Sequence, residues 1–93
     1  MSQFQSWADW DSLIQMAKYD VDSFIYAPQK IKNNFKLMLK LVTLNGWVLK
    51  YAEWEISYNK DVVITAVAQN GLALQFASSL LRDNKDIVLA AVA

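Results

Sequence analysis

The chain has 93 residues, of which 55% are apolar and 19% are charged, and its formal net charge at pH 7 is zero. A chain of this length forms one domain with a core that is only marginally large enough, so we expect some apolar surface to stay exposed. Zero net charge removes the long-range field that gathers nucleic acid or anionic lipid, while the lack of cysteine and histidine excludes disulfides, thiolate chemistry and the usual zinc ligands.

The N-terminal ten residues contain no basic side chain and no long apolar run, which argues against a Sec signal peptide. The longest strongly apolar stretch of the chain, residues 62–68, is far shorter than the roughly 20 residues of a membrane-spanning helix. We therefore expect no transmembrane segment and a cytoplasmic location.

A repeat of 25 residues organises the chain. Asn-Gly occurs at residues 45–46 and again at 70–71, and the 24 residues that begin at each Asn share 11 identities. An internal period of this length is typical of stacked helical repeats, whose units form binding surfaces more often than catalytic pockets. Projected backwards, the period gives a single domain made of units 20–44, 45–69 and 70–93, preceded by a partial unit at 1–19.

Each unit is predicted to form helix A, a short polar turn and helix B. Helix A has apolar residues at spacings of three and four, whereas helix B is apolar over a broader arc and is expected to be the buried element. The residue before each helix B is Asp or Asn, whose short side chain can cap the first free N–H groups: Asp9, Asn34, Asn59 and Asn84. The predicted bounds are about 22–32, 47–57 and 72–82 for helix A, and 10–19, 35–44, 60–69 and 85–93 for helix B.

Two local features refine this prediction. Asn-Gly is expected to end the preceding helix B with its glycine in the left-handed conformation. Pro28 lies near the middle of the first helix A, where it removes a backbone donor, so we expect that helix to bend or begin late. The predicted fold is all-α, a short right-handed stack of about three and a half helix-turn-helix repeats that forms an α-solenoid-like bundle.

Aromatic residues in the second helix A indicate a candidate partner-binding surface. Trp47, Tyr51, Trp54 and Tyr58 are spaced four, three and four apart, which would place them along one side of that helix. The next unit keeps the first two positions apolar, so Trp47 and Tyr51 are interpreted as core. It makes the other two polar, so Trp54 and Tyr58 are candidates for an exposed site, with packing over a gap as the alternative. The N-terminal Trp7 and Trp10 are further partner-binding candidates.

Lysines follow in a run with no acidic residue between Asp22 and Glu53. A solvated face is the simplest interpretation of such a run. A weak nucleic-acid or anionic-surface binding site is the alternative, although the zero net charge argues against it. The residues of this candidate site are Lys30, Lys32, Lys36 and Lys40.

Catalytic constellations are not found in the sequence. Glu53 and Glu55 point to different sides of a helix, and Ser78-Ser79 has no histidine to act as its base. The two glycines are too far apart for a phosphate-binding loop. We therefore predict no catalytic residues, no metal site, no cofactor and no enzymatic activity.

The last helix B carries an apolar face with no predicted helix behind it. A terminal unit normally has a polar outer face, because no neighbour covers it. The sequence therefore predicts a homo-oligomer, with a dimer favoured, that forms through Ile87, Val88, Leu89, Ala91 and Val92.

The last two units resemble a known family. Residues 81–92 read L-R-D-N-K-D-I-V-L-A-A-V and residues 70–77 read N-G-L-A-L-Q-F-A. This pattern is similar to the tandem unit "L-R-x-D-K-x-V-V-L-x-A-V…N-G-x-A-L-x-x-A" of the domain of unknown function 4116 family, most clearly over residues 45–93. Members often occur in intracellular bacteria, large viruses and protists, so the resemblance implies a helical repeat fold and a host-interaction setting, with delivery into a host cytosol as an alternative location. It supplies no catalytic residues.

These features together predict a non-catalytic protein–protein interaction module. Its expected partner is another protein, such as a larger effector enzyme that it serves as an adaptor or inhibitor, and neither nucleic acid nor membrane is expected as a partner. The first alternative is a structural, self-associating segment of a longer repeat array. The second is weak binding to nucleic acid or an anionic surface through the lysines of residues 30–40.

Overall fold

The computed structural model describes residues 7–92, and all regular secondary structure in that range is helical. Four longer α-helices alternate with shorter helical segments. The longer helices are α1 (Trp10–Tyr19), α3 (Phe35–Leu44), α5 (Lys60–Gln69) and α7 (Lys85–Val92). The predicted bounds of helix B are thus confirmed wherever they fall within the described residues, and the all-α class is confirmed for that part of the chain.

The repeated Asp or Asn before each longer helix caps it as predicted. The side chain of Asn34 accepts a hydrogen bond from the N–H of Leu37 at 3.0 Å, and Asn59 accepts one from Val62 at 3.2 Å. Asp9 and Asn84 cap α1 and α7 in the same way, through the N–H groups of residues 11, 86 and 87. Each cap satisfies N–H groups that the helix itself leaves free, so the capping residue sets where the helix begins.

The prediction of a continuous helix A is wrong in every unit. Each one consists of a 3₁₀ helix, an extended pair of residues and a single α-helical turn. The pieces are η1 (Val21–Tyr26) and α2 (Gln29–Lys32), η2 (Gly46–Tyr51) and α4 (Trp54–Ser57), and η3 (Gly71–Phe76) and α6 (Ser79–Arg82).

Pro28 is not the cause of the break, because the equivalent residues have the same backbone conformation. Pro28 has φ −60° and ψ 150°, while Glu53 has −64° and 156° and Ser78 has −59° and 156°. The extended pair frees the N–H of Glu53 to donate to the carbonyl of Lys32 at 3.1 Å, and that of Ser78 to donate to Ser57 at 3.0 Å. The break in helix A therefore provides a hydrogen bond from each later unit to the unit before it.

The expected left-handed glycine is also absent, since neither Gly46 nor Gly71 has a positive φ. The Asn of each pair instead caps the following 3₁₀ helix, as Asn45 does by accepting from the N–H of Trp47 at 2.9 Å. The glycines are needed for close approach: a Cβ on Gly46 would lie well inside 3.0 Å of the carbonyl oxygen of Ala66, and one on Gly71 equally close to that of Ala91. Asn-Gly therefore marks packing between helices, which the sequence pattern alone did not separate from a helix stop.

The longer helices lie in a row in which α3 contacts α1 and α5, and α5 contacts α3 and α7, while η2 contacts η1 and η3. The core runs between the two rows, and the molecule measures 42 × 23 × 17 Å along its principal axes. Within residues 7–92, no helix has the length and apolar character needed to cross a membrane. The right-handed sense of the stack stays a prediction. The largest fully buried side chains are Phe24, Met38, Leu41, Leu49 and Ile87.

Candidate functional site

Two touching aromatic rings project from the middle unit. Trp54 opens α4 and is 68% exposed, and Tyr58, directly after α4, is 53% exposed. Their ring centroids are 5.9 Å apart and the ring planes are perpendicular, which is a favoured edge-to-face arrangement. We call Trp54 and Tyr58 the aromatic pair. Their predicted exposure is confirmed.

The repeat provides an internal control for the aromatic pair. The residues equivalent to Trp54 are Gln29 and Ser79, and those equivalent to Tyr58 are Asn33 and Asp83. These residues sit in the same α-turn followed by the same turn residue, so the fold accepts polar side chains at both positions. The aromatic rings are therefore not required by the architecture of the unit.

Trp47 and Tyr51 do not share a helix face with the aromatic pair, contrary to the prediction, because the break at residues 52–53 separates η2 from α4. Trp47 is half-buried, and its ring meets that of Phe76 edge to face with centroids 4.9 Å apart. The hydroxyl of Tyr51 donates to the carboxylate of Asp22. This hydrogen bond, followed by burial and the negative charge of Asp22, raises the pKa of Tyr51 to about 12. Both aromatic residues thus connect neighbouring 3₁₀ helices.

The two N-terminal tryptophans differ in their surroundings. Trp7 is half-buried and packs against the core, with its ring 6.2 Å from that of Phe24, so it forms part of the fold. Trp10 is exposed, and the ammonium group of Lys40 lies 5.7 Å from its ring centroid, within cation–π range. Trp10 alone of these two presents a ring to solvent.

The lysine run is divided between local contacts and solvent. Lys32 donates to the backbone carbonyl of Ile25 at 2.9 Å, and Lys40 is placed over Trp10. Lys30 and Lys36 are exposed. Two of the four candidate ammonium groups therefore already have partners within the chain.

The residues proposed for self-association are also divided. Ile87 is fully buried, so its prediction as part of an exposed face is wrong: it belongs to the core of the stack. Ala91 is half-buried, and its carbonyl packs against Gly71. Val88, Leu89 and Val92 are exposed.

Charged groups in the described residues form no metal-binding arrangement. Among residues 7–92, no three or more acidic side chains come together in a way that could hold a metal ion. An ion pair joins Lys60 to Asp86 at 3.3 Å and thereby links α5 to α7. Both side chains of this pair are largely exposed, so it contributes little to stability.

Sequence reasoning missed the exposed Leu72. It was grouped with Trp47 as an apolar position that the repeat preserves, yet Leu72 is 67% exposed. The signal lies in the contacts at this position: Asp22 meets Tyr51 and Trp47 meets Phe76, in each case in the following unit. Leu72 belongs to the last described unit, so no described residue fills the partner's position.

Comparison with known proteins identifies one family. A family model described as "Domain of unknown function (DUF4116)" matches residues 9–57 and 59–93. No curated protein and no solved structure matches the chain.

Proposed function

The chain belongs to the DUF4116 family, and we propose that it is a non-catalytic protein–protein interaction module whose binding surface is centred on the aromatic pair. The observation that carries this proposal is the contact between two exposed rings at positions where the other units have polar residues. Exposure of two large aromatic side chains has a solvation cost that the fold does not require. A partner that covers them would remove this cost.

The geometry of the pair suits such a partner. Tryptophan and tyrosine bury a large area with few rotatable bonds, and they are enriched among the residues that dominate binding energy. Because the ring of Trp54 rests against that of Tyr58, the rotamers of both side chains are restricted before binding. Less conformational entropy is then lost when the partner binds.

The partner in this proposal is another protein. In the host-interaction setting that the family resemblance implies, the chain acts as an adaptor or inhibitor of a larger effector enzyme. The small size of the module fits this role, since its contribution is a preformed surface.

The test uses the repeat itself as the source of substitutions. Trp54→Ser and Tyr58→Asp place in the middle unit the residues that the last unit has at the same positions. A photoreactive phenylalanine analogue at position 58 first captures the partner from cell extract, and calorimetry then measures binding of the purified partner. We expect the double variant to bind more weakly by about 2 kcal/mol or more, roughly 30-fold, with an unchanged far-ultraviolet circular dichroism spectrum.

Tyr26→Ala is the matched control, because Tyr26 is also an exposed aromatic residue but lies on η1. It should bind the partner as the wild type does. Equal binding by the double variant and the wild type would refute the proposal. Loss of helical signal in the double variant would assign the aromatic pair to the fold.

A further inference from the structure

We propose that two copies of this chain associate through their C-terminal ends, with the outer face of α7 and Leu72 of one copy packed against the same residues of the other. We call Leu72, Val88, Leu89 and Val92 the end face. This interaction goes beyond the proposed function, because the aromatic pair has no part in it.

The first argument is the exposure of α7 compared with the equivalent positions of α5. Val63 and Val67 are 0% and 1% exposed, and the residues one unit later, Val88 and Val92, are 37% and 76% exposed. The same two positions are fully buried in α3, where they are Met38 and Val42. These positions are thus covered wherever a further unit follows, and α7 presents the same side chains uncovered among the described residues.

The second argument comes from the row of 3₁₀ helices. Trp47 of η2 contacts Phe76 of η3, and Asp22 of η1 accepts a hydrogen bond from Tyr51 of η2. Leu72 occupies the same position of η3 and is exposed, so it is one half of a contact between units. The end face therefore extends across both rows of helices and continues the established interface between units.

The opposite end of the stack does not offer a matching surface. In α3, α5 and α7 the third residue is apolar, namely Leu37, Val62 or Ile87, whereas α1 has Ser12 there. The hydroxyl of Ser12 donates to Asp9 at 3.1 Å, and the side chain is already buried.

The edge by which a longer helix meets its predecessor is also polar in α1. Asp86 and Lys40 reach back to Lys60 and Trp10, and their equivalents on α1 are the exposed Asp11 and Gln15. Burial of these polar groups against the valines of another copy would cost free energy, because nothing apolar in this edge compensates for their lost hydration. The end face of a second copy, in contrast, is apolar like the first.

An interface that uses the same surface twice is closed. It stops at a dimer, whereas a head-to-tail stack would continue into a filament. Stable interfaces bury about 800 Å² per partner, and the face of one short helix with one added leucine is smaller. We therefore expect a concentration-dependent equilibrium between monomer and dimer.

The first experiment is sedimentation velocity of the full chain over a wide concentration series. The wild type should shift from monomer to dimer with no larger species, and Val92→Glu should weaken this association at least tenfold. Leu80→Glu is the matched control: Leu80 is an exposed apolar residue of the same unit, but its equivalents Lys30 and Glu55 are exposed in units that are stacked on both sides. It should dimerise as the wild type does.

The second experiment determines which ends meet. The chain has no cysteine, so a single substitution supplies the only thiol. With oxidised glutathione as the oxidant, two Val92→Cys chains should form a disulfide-linked dimer faster than two Leu80→Cys chains. In a head-to-tail stack, Lys85 of one copy would instead meet Asp11 of the next, as Lys60 meets Asp86 within the chain.

A mixture of Lys85→Cys and Asp11→Cys chains tests that alternative and should give no preferential mixed disulfide. A monomer at every concentration would overturn the proposal. Open-ended oligomers with a mixed disulfide would overturn it in favour of head-to-tail stacking. Association that Val92→Glu leaves unchanged would place the contact elsewhere on the surface.

Discussion

The hydrogen atom that replaces a side chain at Gly46 and Gly71 sets how closely η2 and η3 approach the longer helix of the same unit. The carbonyl of Ala66 occupies the space of a Cβ on Gly46, and the N–H of Gly46 donates to the side-chain oxygen of Gln69 at 2.5 Å. In the first unit the same position is Val21, and η1 makes far less contact with α3 than η2 makes with α5. The presence or absence of this glycine therefore distinguishes close from loose packing within a unit.

We predict that Gly46→Ala destabilises the protein by about 1–3 kcal/mol, the usual cost of an overpacked site, because the obstructing atom belongs to a backbone. Urea denaturation followed by circular dichroism measures the change. Val21→Ala is the control and should cost less than about 1 kcal/mol, since a side chain is already accommodated there. Equal stability of Gly46→Ala and the wild type would show that the helices separate at little cost.

Within each unit, the 3₁₀ helix and the α-turn are separated by residues whose backbone leaves the helical ladder for a neighbour. Glu53 and Ser78 donate their N–H groups to Lys32 and Ser57 of the preceding unit, and Pro28 has no N–H to donate. The φ of Glu53, −64°, is one that proline adopts, and the residue before it is extended at ψ 152°. Proline therefore fits this position of the repeat in shape while removing one hydrogen bond.

This fit allows the hydrogen bond between units to be measured separately from the packing. We predict that Glu53→Pro lowers the free energy of unfolding by up to about 1 kcal/mol, since the lost hydrogen bond outweighs the gain from a stiffer unfolded chain. Glu53→Ala keeps the N–H and controls for loss of the side chain. If Glu53→Pro were more stable than Glu53→Ala, the hydrogen bond to Lys32 would contribute nothing net.

Helix B could be predicted to the residue because its signals are local: an Asn or Asp cap, an apolar arc and a constant length. Helix A could not, because the hydrogen bonds that break it go to another unit and leave no mark in the spacing of apolar residues. One signal was present. If all units share one backbone, Pro28 shows that residues 53 and 78 also lie outside a helix, but it was interpreted as a local exception.

For the candidate site, comparison between units predicted the exposure of Trp54 and Tyr58, since a position that is polar in one copy need not be buried in another. The same comparison failed for Leu72 and Ile87. A pattern of apolar residues shows which positions face a neighbour, but it does not show whether that neighbour is present, as at Leu72, or which side of the helix it covers, as at Ile87.

Across the whole molecule, stability is expected to vary along the stack. Helix α5 has longer helices on both sides, whereas α7 has one on a single side among the described residues. In arrays of this kind each unit gains stability mainly from its immediate neighbours. The middle of the stack should therefore be its most stable part.

Amide hydrogen exchange measures this variation. We predict the slowest exchange in α5 and the fastest helical exchange in the last turn of α7, because local opening at an end breaks fewer contacts. The experiment uses a concentration at which the chain is monomeric, since a dimer through the end face would protect α7. Equal exchange in α5 and α7 would instead indicate that the domain opens only as a whole.

Contacts between units recur at fixed distances along the chain, and this has a consequence for how such a gene can change. Asp22 and Tyr51 are 29 residues apart, as are Trp47 and Phe76, and the hydrogen bonds from Glu53 and Ser78 each reach back 21 residues. Duplication or deletion of one whole unit leaves every remaining contact in register. An in-frame insertion of another length within a helix shifts one half of each pair past the other, so the coding sequence is expected to lengthen and shorten in steps of a complete repeat.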